Sequence, residues 1–315
     1  MKILVPTSDP RMIQAGDLSL HAETFGDPRK SSILLVMGNS APGLLWPDAF
    51  CDALAAHGFH VIRFDQRDTG LSSYLDYDTD PYTLHDLSRD ALAVLDGLGI
   101  AKAHIVGMSQ GGVLACLIAR DHPDRAASLT MLMSSVDLGP KNAAFSGQPP
   151  QPGALSQPAA DYVAAVIALN AAAPQSEEES SRQFVENFRL ASGAESSFDE
   201  HFWQRLGRAV AAIPRQRRDR LTARMANNSN HRKAQVATPP FTAEDLKAIR
   251  VPALVLHGTA DPIFPADHAR WSAAALSDAR LHFVSGMGHA LDPAYFRPIA
   301  DTLAAFLAEQ DRPTE

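Results

Sequence analysis

The sequence predicts an α/β fold, a mostly parallel, doubly wound sheet interrupted by a helical insertion. Three observations predict it. Apolar runs alternate with helical patterns over residues 32–138. The alternation stops near 138 and gives way to a block with few strand signals. It resumes at 243. Strands that are apolar on both sides, with helices between them, belong to a parallel sheet covered on both faces.

The elements follow in order. Ile33–Met37 reads as a buried strand, 47–57 as a helix and His60–Asp65 as the next strand. Leu84–Leu98 carries apolar residues at helical spacing. Ala103–Val106 is a short strand, followed by a helix to about His122 and a strand at Ser128–Met133. Residues 139–160 are rich in Pro, Gly, Gln and Ala, and helical segments are expected at about 161–172, 177–190, 198–211 and 215–227. The rhythm returns with Ala243–Ile249 and the strand Pro252–His257. A helix at 266–275, a strand at Leu281–Val284 and a helix at 293–309 complete it. The expected domains are an α/β core of 1–138 with 243–315 and a helical cap of 139–242. Such a cap would lie over the C-terminal edge of the sheet, where open α/β sheets bind ligands.

With 315 residues, 45% hydrophobic and 20% charged, the chain has room for one large domain or a core plus an insertion. The net charge of −8 argues against nucleic acid or an anionic membrane as partner. Cys51 and Cys116 lie in helical patterns without metal-ligand or disulfide spacing and read as core residues. The apolar run near Met1 is only three residues long, too short for a secretory signal. No apolar stretch approaches the ~18 residues of a membrane span. A cytoplasmic location is the expectation.

The chemistry centres on Gly107-Met108-Ser109-Gln110-Gly111, a G-x-S-x-G between a strand and a helix. That setting makes a nucleophile elbow. The glycines let strand and helix approach, Ser109 is held in a strained exposed position, and helix-start amides face a developing oxyanion. A serine needs a base, and the base needs an orienting acid. In chain order the acid comes first and the histidine second. Asp261 follows one predicted strand and His289 follows the next, on the same sheet edge as Ser109. Asp137 is a second candidate acid, and His257 reads as support for the turn holding Asp261. The oxyanion donors are expected to be the N–H groups of Gln110 and Asn39, with Gly38 as second choice or merely a turn residue. Asp65 and Arg67 are expected to form a structural turn network. Arg215, Arg217, Arg218, Arg220 and Arg224 read as a solvated helix face. Met108, Trp46 and Trp203 are candidates for the substrate pocket, with core packing as the alternative for each.

With these motifs in place, the chain resembles the α/β-hydrolase superfamily outside 139–242. Ile33–Gly38 with Trp46-Pro47-Asp48, Val61–Gly70 and Gly286-Met287-Gly288-His289-Ala290-Leu291 look most like esterases of the aclacinomycin methylesterase type. The oxyanion loop departs from that type, with Gly38-Asn39 in place of a doubled glycine. The resemblance implies a carboxylic ester hydrolase that uses no cofactor and no metal and acts on a small-molecule ester. It implies Ser109, Asp261 and His289 in the triad roles. A dehalogenase or epoxide hydrolase of this fold would carry Asp at 109. Lactone hydrolysis, C–C bond hydrolysis, perhydrolysis and acyl transfer use the same triad and stay open, as does a hydrolase-like ligand receptor. Oligomeric state is not set by the sequence.

Overall fold

The computed structural model describes residues 9–216 and 228–312. The strands are β1 (Asp9–Ala15), β2 (Leu18–Phe25), β3 (Ser32–Val36), β4 (His60–Phe64), β5 (Ala103–Met108), β6 (Ala126–Leu132), β7 (Ala253–Gly258) and β8 (Ala279–Val284). They form one sheet in the order β1-β2-β4-β3-β5-β6-β7-β8. From β4 to β8 every pairing is parallel, while β1 and β2 are antiparallel. The sheet is therefore doubly wound, as the sequence predicts, with an added N-terminal hairpin. All residues of β3, β4, β5 and β7 are buried. That explains their largely apolar character, since helices cover both faces.

The helices are α1 (Asp48–Ala56), α2 (Leu84–Gly97), α3 (Gln110–Asp121), α4 (Gly139–Phe145), α5 (Ala160–Leu169), α6 (Glu177–Ser192), α7 (Glu200–Gln216), α8 (Asn228–Ala237), α9 (Ala243–Ala248), α10 (Ala266–Ala275) and α11 (Pro293–Gln310). Thr83 and Asp86 form a reciprocal capping box that starts α2. Two apolar clusters sandwich the sheet. One includes Leu34, Ile62, Leu95, Leu114, Val255 and Ala269. The other lies under α1 and α11 and continues through Phe184, Trp203 and Leu206 into α6 and α7. The helices of the insertion thus share a core with the sheet.

Asp292 strengthens that junction. It caps α11 by accepting the Ala294 N–H at 3.1 Å, and its other oxygen accepts the Trp203 indole N–H at 3.0 Å and the Asp199 N–H at 2.7 Å. Helix α4 occupies part of the stretch read from sequence as a Pro- and Gly-rich connection. The helical segment expected at 215–227 and the arginine cluster of Arg215, Arg217, Arg218, Arg220 and Arg224 lie outside the residues whose side chains are described. No helix among the described residues is long and apolar enough to cross a membrane.

Candidate active site

Strand β5 ends in a turn so tight that Ser109 takes φ 54° and ψ −124° as the residue before α3. A side chain in the positive-φ region is strained, typically by about 1–3 kcal/mol, and persists only when the surroundings enforce it. Here the Ser109 N–H donates to the Leu132 carbonyl at 3.0 Å, and the Ser109 carbonyl accepts the Ser134 hydroxyl at 2.6 Å. The turn also demands glycine at 111, where a Cβ would run into the carbonyl oxygens of Val36 and Met37. Gly38 is needed for another reason. A Cβ there would stand 3.0 Å from the Ser109 Cβ and 3.6 Å from its hydroxyl oxygen.

Asp261 and His289 come from the loops after β7 and β8. The His289 Nδ1–H donates to Asp261 Oδ2 at 2.7 Å. The other carboxylate oxygen, Oδ1, accepts the N–H groups of Ile263 at 2.8 Å and Phe264 at 3.0 Å. Burial alone would raise the pKa of this carboxyl. The adjacent His289, the nearby His257 and the Phe264 amide outweigh it and hold Asp261 below its usual value. An ionised carboxylate only accepts, so Nδ1 of His289 carries the proton and Nε2 is left with its lone pair. His257 supports the turn. Its Nε2–H donates to the Phe264 carbonyl at 2.7 Å, and burial holds its pKa down. Asp137 is turned elsewhere, accepting the Gly139 N–H at 3.0 Å.

The insertion braces the histidine loop. The His289 N–H donates to the Ala191 carbonyl near the end of α6 at 2.8 Å. The loop after β3 is braced as well. The buried Gln66 amide donates to the Met37 carbonyl at 2.7 Å, and the buried His231 ring joins the Ser40 N–H, at 3.0 Å, to the Arg67 carbonyl, at 2.8 Å. Asp65 and Arg67 do serve the turn, but in separate networks. Asp65 accepts the N–H groups of Gly43 at 2.6 Å and Leu71 at 2.8 Å, whereas Arg67 makes a two-pronged pair with Asp90 on α2 at 2.6 and 2.7 Å.

Ser109, His289, Gly38, Asn39, Gln110 and Met108 line one cavity of about 470 Å³. Helices α4, α5, α6 and α8 supply its outer wall, including Lys141, Tyr162, Phe188 and Arg232. The volume is that of a site for a small organic molecule. Trp46 and Trp203 are not among the lining residues. Trp46 is buried against Phe50, and Trp203 is stacked between Phe188 and Phe198. Both pack in the core, which is where a large apolar ring on a covered sheet face ends up. Cys51 and Cys116 are buried free thiols whose pKa is pushed up by burial. No group of three or more His, Cys, Asp or Glu among the described residues is placed to hold a metal ion.

A sheet of this topology, with a strained serine at the β5–α3 turn and a paired histidine and aspartate two loops away, defines an α/β hydrolase. Residues 32–291 match the α/β hydrolase fold family, and the chain belongs to it. It is an ester hydrolase: it is 34% identical over 302 residues to the rhodomycin D methylesterases DauP of Streptomyces sp. (strain C5) and DnrP of Streptomyces peucetius. Each alignment covers 94% of this chain and 97% of the relative. Among solved structures, a hydrolase from Pseudomonas aeruginosa PA01 is similar with a TM-score of 0.68 and 24% identity, over 95% of this chain and 98% of that one.

Proposed function

We propose that Ser109, His289 and Asp261 act as nucleophile, base and orienting acid in the two-step hydrolysis of a carboxylic ester. The pairing of His289 with Asp261 at 2.7 Å, on a cavity that also holds the strained Ser109, carries this reading. His289 Nε2 takes the Ser109 hydroxyl proton as Oγ attacks the ester carbonyl carbon. The N–H groups of Gln110, at the start of α3, and of Asn39 receive the oxyanion. The tetrahedral intermediate collapses, the C–O bond breaks, and the alcohol leaves with the proton from His289. Water then attacks the acyl-enzyme, giving its proton to His289, and the acid departs as Ser109 regains its hydrogen. Asp261 stays ionised throughout and stabilises the imidazolium.

Residues 139–242 act as the cap on the α/β core of 1–138 and 243–315, because α4, α5, α6 and α8 wall the cavity above Ser109. The two streptomycete relatives are named for methyl ester hydrolysis. We therefore assign a methyl ester whose acid part fills the cavity as the substrate class. The test is hydrolysis of p-nitrophenyl butyrate and of methyl esters of aromatic acids, with Ser109→Ala as control. Wild-type turnover that disappears in Ser109→Ala supports the reading, and turnover retained by Ser109→Ala overturns it.

A further inference from the structure

The described lining of this cavity carries formal positive charge only. Among the described residues its lining includes Lys141 on α4 and Arg232 on α8, and no Asp or Glu. Among the described residues neither cation has an ion-pair partner. Lys141 is half-buried, and burial together with the charge of Arg232 lowers its pKa to about 8. Two cations lining one recess repel each other, and Lys141, the more buried of the two, also loses part of its hydration. The same wall also carries the polar side chains of Asn142 and Gln235 beside the apolar Leu138 and Phe145. Gln235 accepts from the Gln110 amide and donates to Asn142 Oδ1, both at 3.2 Å, so α8 and α4 are joined into one surface that reaches the residue after Ser109. The rest of the lining is largely apolar, with Val166 and Ile167 on α5, Phe188 on α6 and Ile263 and Phe264 after β7.

We infer that Lys141 and Arg232 form an anion subsite, and that the ester this enzyme takes carries a second, acidic group, a carboxylate, apart from its scissile carbonyl. Resting on the esterase reading, this makes the substrate class a monoester with an apolar body and a free carboxylate. The apolar body packs against apolar lining residues such as Phe188 and Phe264, and the carboxylate meets the ammonium and guanidinium. A lysine and an arginine together tolerate a range of carboxylate positions better than either alone, since the ammonium is a mobile point charge and the guanidinium a planar fork.

Two measurements test this separately from catalysis. The first is calorimetric binding of 4-phenylbutyrate and of its neutral amide to Ser109→Ala protein. The anion is expected to bind more tightly, with the preference reduced roughly 10-fold in Ser109→Ala/Lys141→Met and less by Arg232→Gln, whose side chain is exposed. The preference is also expected to shrink in 0.5 M salt. The second is kcat/KM for mono-p-nitrophenyl adipate against p-nitrophenyl hexanoate. Their ratio is expected to fall in Lys141→Met and to recover in Lys141→Arg. Equal binding of anion and amide, or a ratio unmoved by Lys141→Met while Ser109-dependent turnover persists, overturns the anion subsite and leaves the esterase reading standing. Anion binding that needs Lys141 in a protein that turns over neither ester keeps the subsite and overturns the esterase reading.

Discussion

His231 Nδ1 accepts the backbone N–H of Ser40 at 3.0 Å, so a histidine of the helical insertion holds the loop that carries Asn39. The other ring nitrogen, Nε2, must carry the proton, because it donates to the Arg67 carbonyl at 2.8 Å. The ring is thus fixed as the neutral Nε2–H tautomer, and burial holds its pKa below the ordinary value. His231→Phe would leave a buried N–H and a buried carbonyl without partners. We expect it to cost about 2–4 kcal/mol in denaturant unfolding. The pH dependence follows in sign. A histidine with a depressed folded pKa binds its proton more readily when unfolded. Its contribution is therefore complete above about pH 6.5 and is lost as pH falls through the folded pKa. Wild-type stability should drop on going from pH 7 to 5, and the slope should be shallower in His231→Phe. Equal slopes would show that His231 titrates alike in both states.

Asp261→Asn isolates the orienting role. An amide presents an N–H or a carbonyl to His289 with no charge to stabilise an imidazolium. In place of an obligate acceptor at 2.7 Å, the ring meets a group that can favour the other tautomer. We expect kcat to fall by about 10³–10⁴ with little change in KM. A drop below 10-fold in steady-state ester hydrolysis, with the fold intact by circular dichroism, would remove Asp261 from the mechanism.

The strain at Ser109 makes a prediction about stability alone. At φ 54° a Cβ is disfavoured and glycine is not. Ser109→Gly should therefore unfold at higher denaturant than Ser109→Ala, by about 1 kcal/mol, although alanine is the more stabilising residue at most sites. Both variants should be inactive. If alanine is the more stable of the two, the elbow is less constrained than its hydrogen bonds to Leu132 and Ser134 imply.

The central sheet was legible because β3, β4, β5, β6 and β7 are buried almost throughout and leave largely apolar runs, whereas β8 at the edge is partly or fully exposed. The first hairpin was not. In β1 only Ile13 is buried, and in β2 Leu20, Ala22 and Phe25 alternate with partly exposed residues. The available signal was the two-residue link Gly16-Asp17 between Ala15 and Leu18, with Gly16 at positive φ. In the candidate site, Ser109, Asp261 and His289 could be singled out because each follows a strand at the same sheet edge, a position set by local sequence. Lys141, Arg232 and His231 could not, because what brings them to the cavity or the Ser40 loop is the packing of the insertion helices. Trp46 and Trp203 show the same limit from the other side. Their size marks them as important, but nothing local says which face of the sheet they fill.

The amine of Lys141 supplies the last prediction. Its lowered pKa of about 8 means that the ammonium is lost between pH 7 and 9, and Arg232 is the charged group acting on it. The ratio of kcat/KM for an acidic ester to that for a neutral one cancels every group that serves both substrates equally, the proposed nucleophile and base included. What remains is the group that reads the acid. The ratio should therefore fall as pH rises through about 8, toward the value of Lys141→Met, and should stay level in Lys141→Arg, whose guanidinium keeps its proton. A wild-type ratio that stays level from pH 7 to 9 would assign any preference for acidic esters to Arg232 alone.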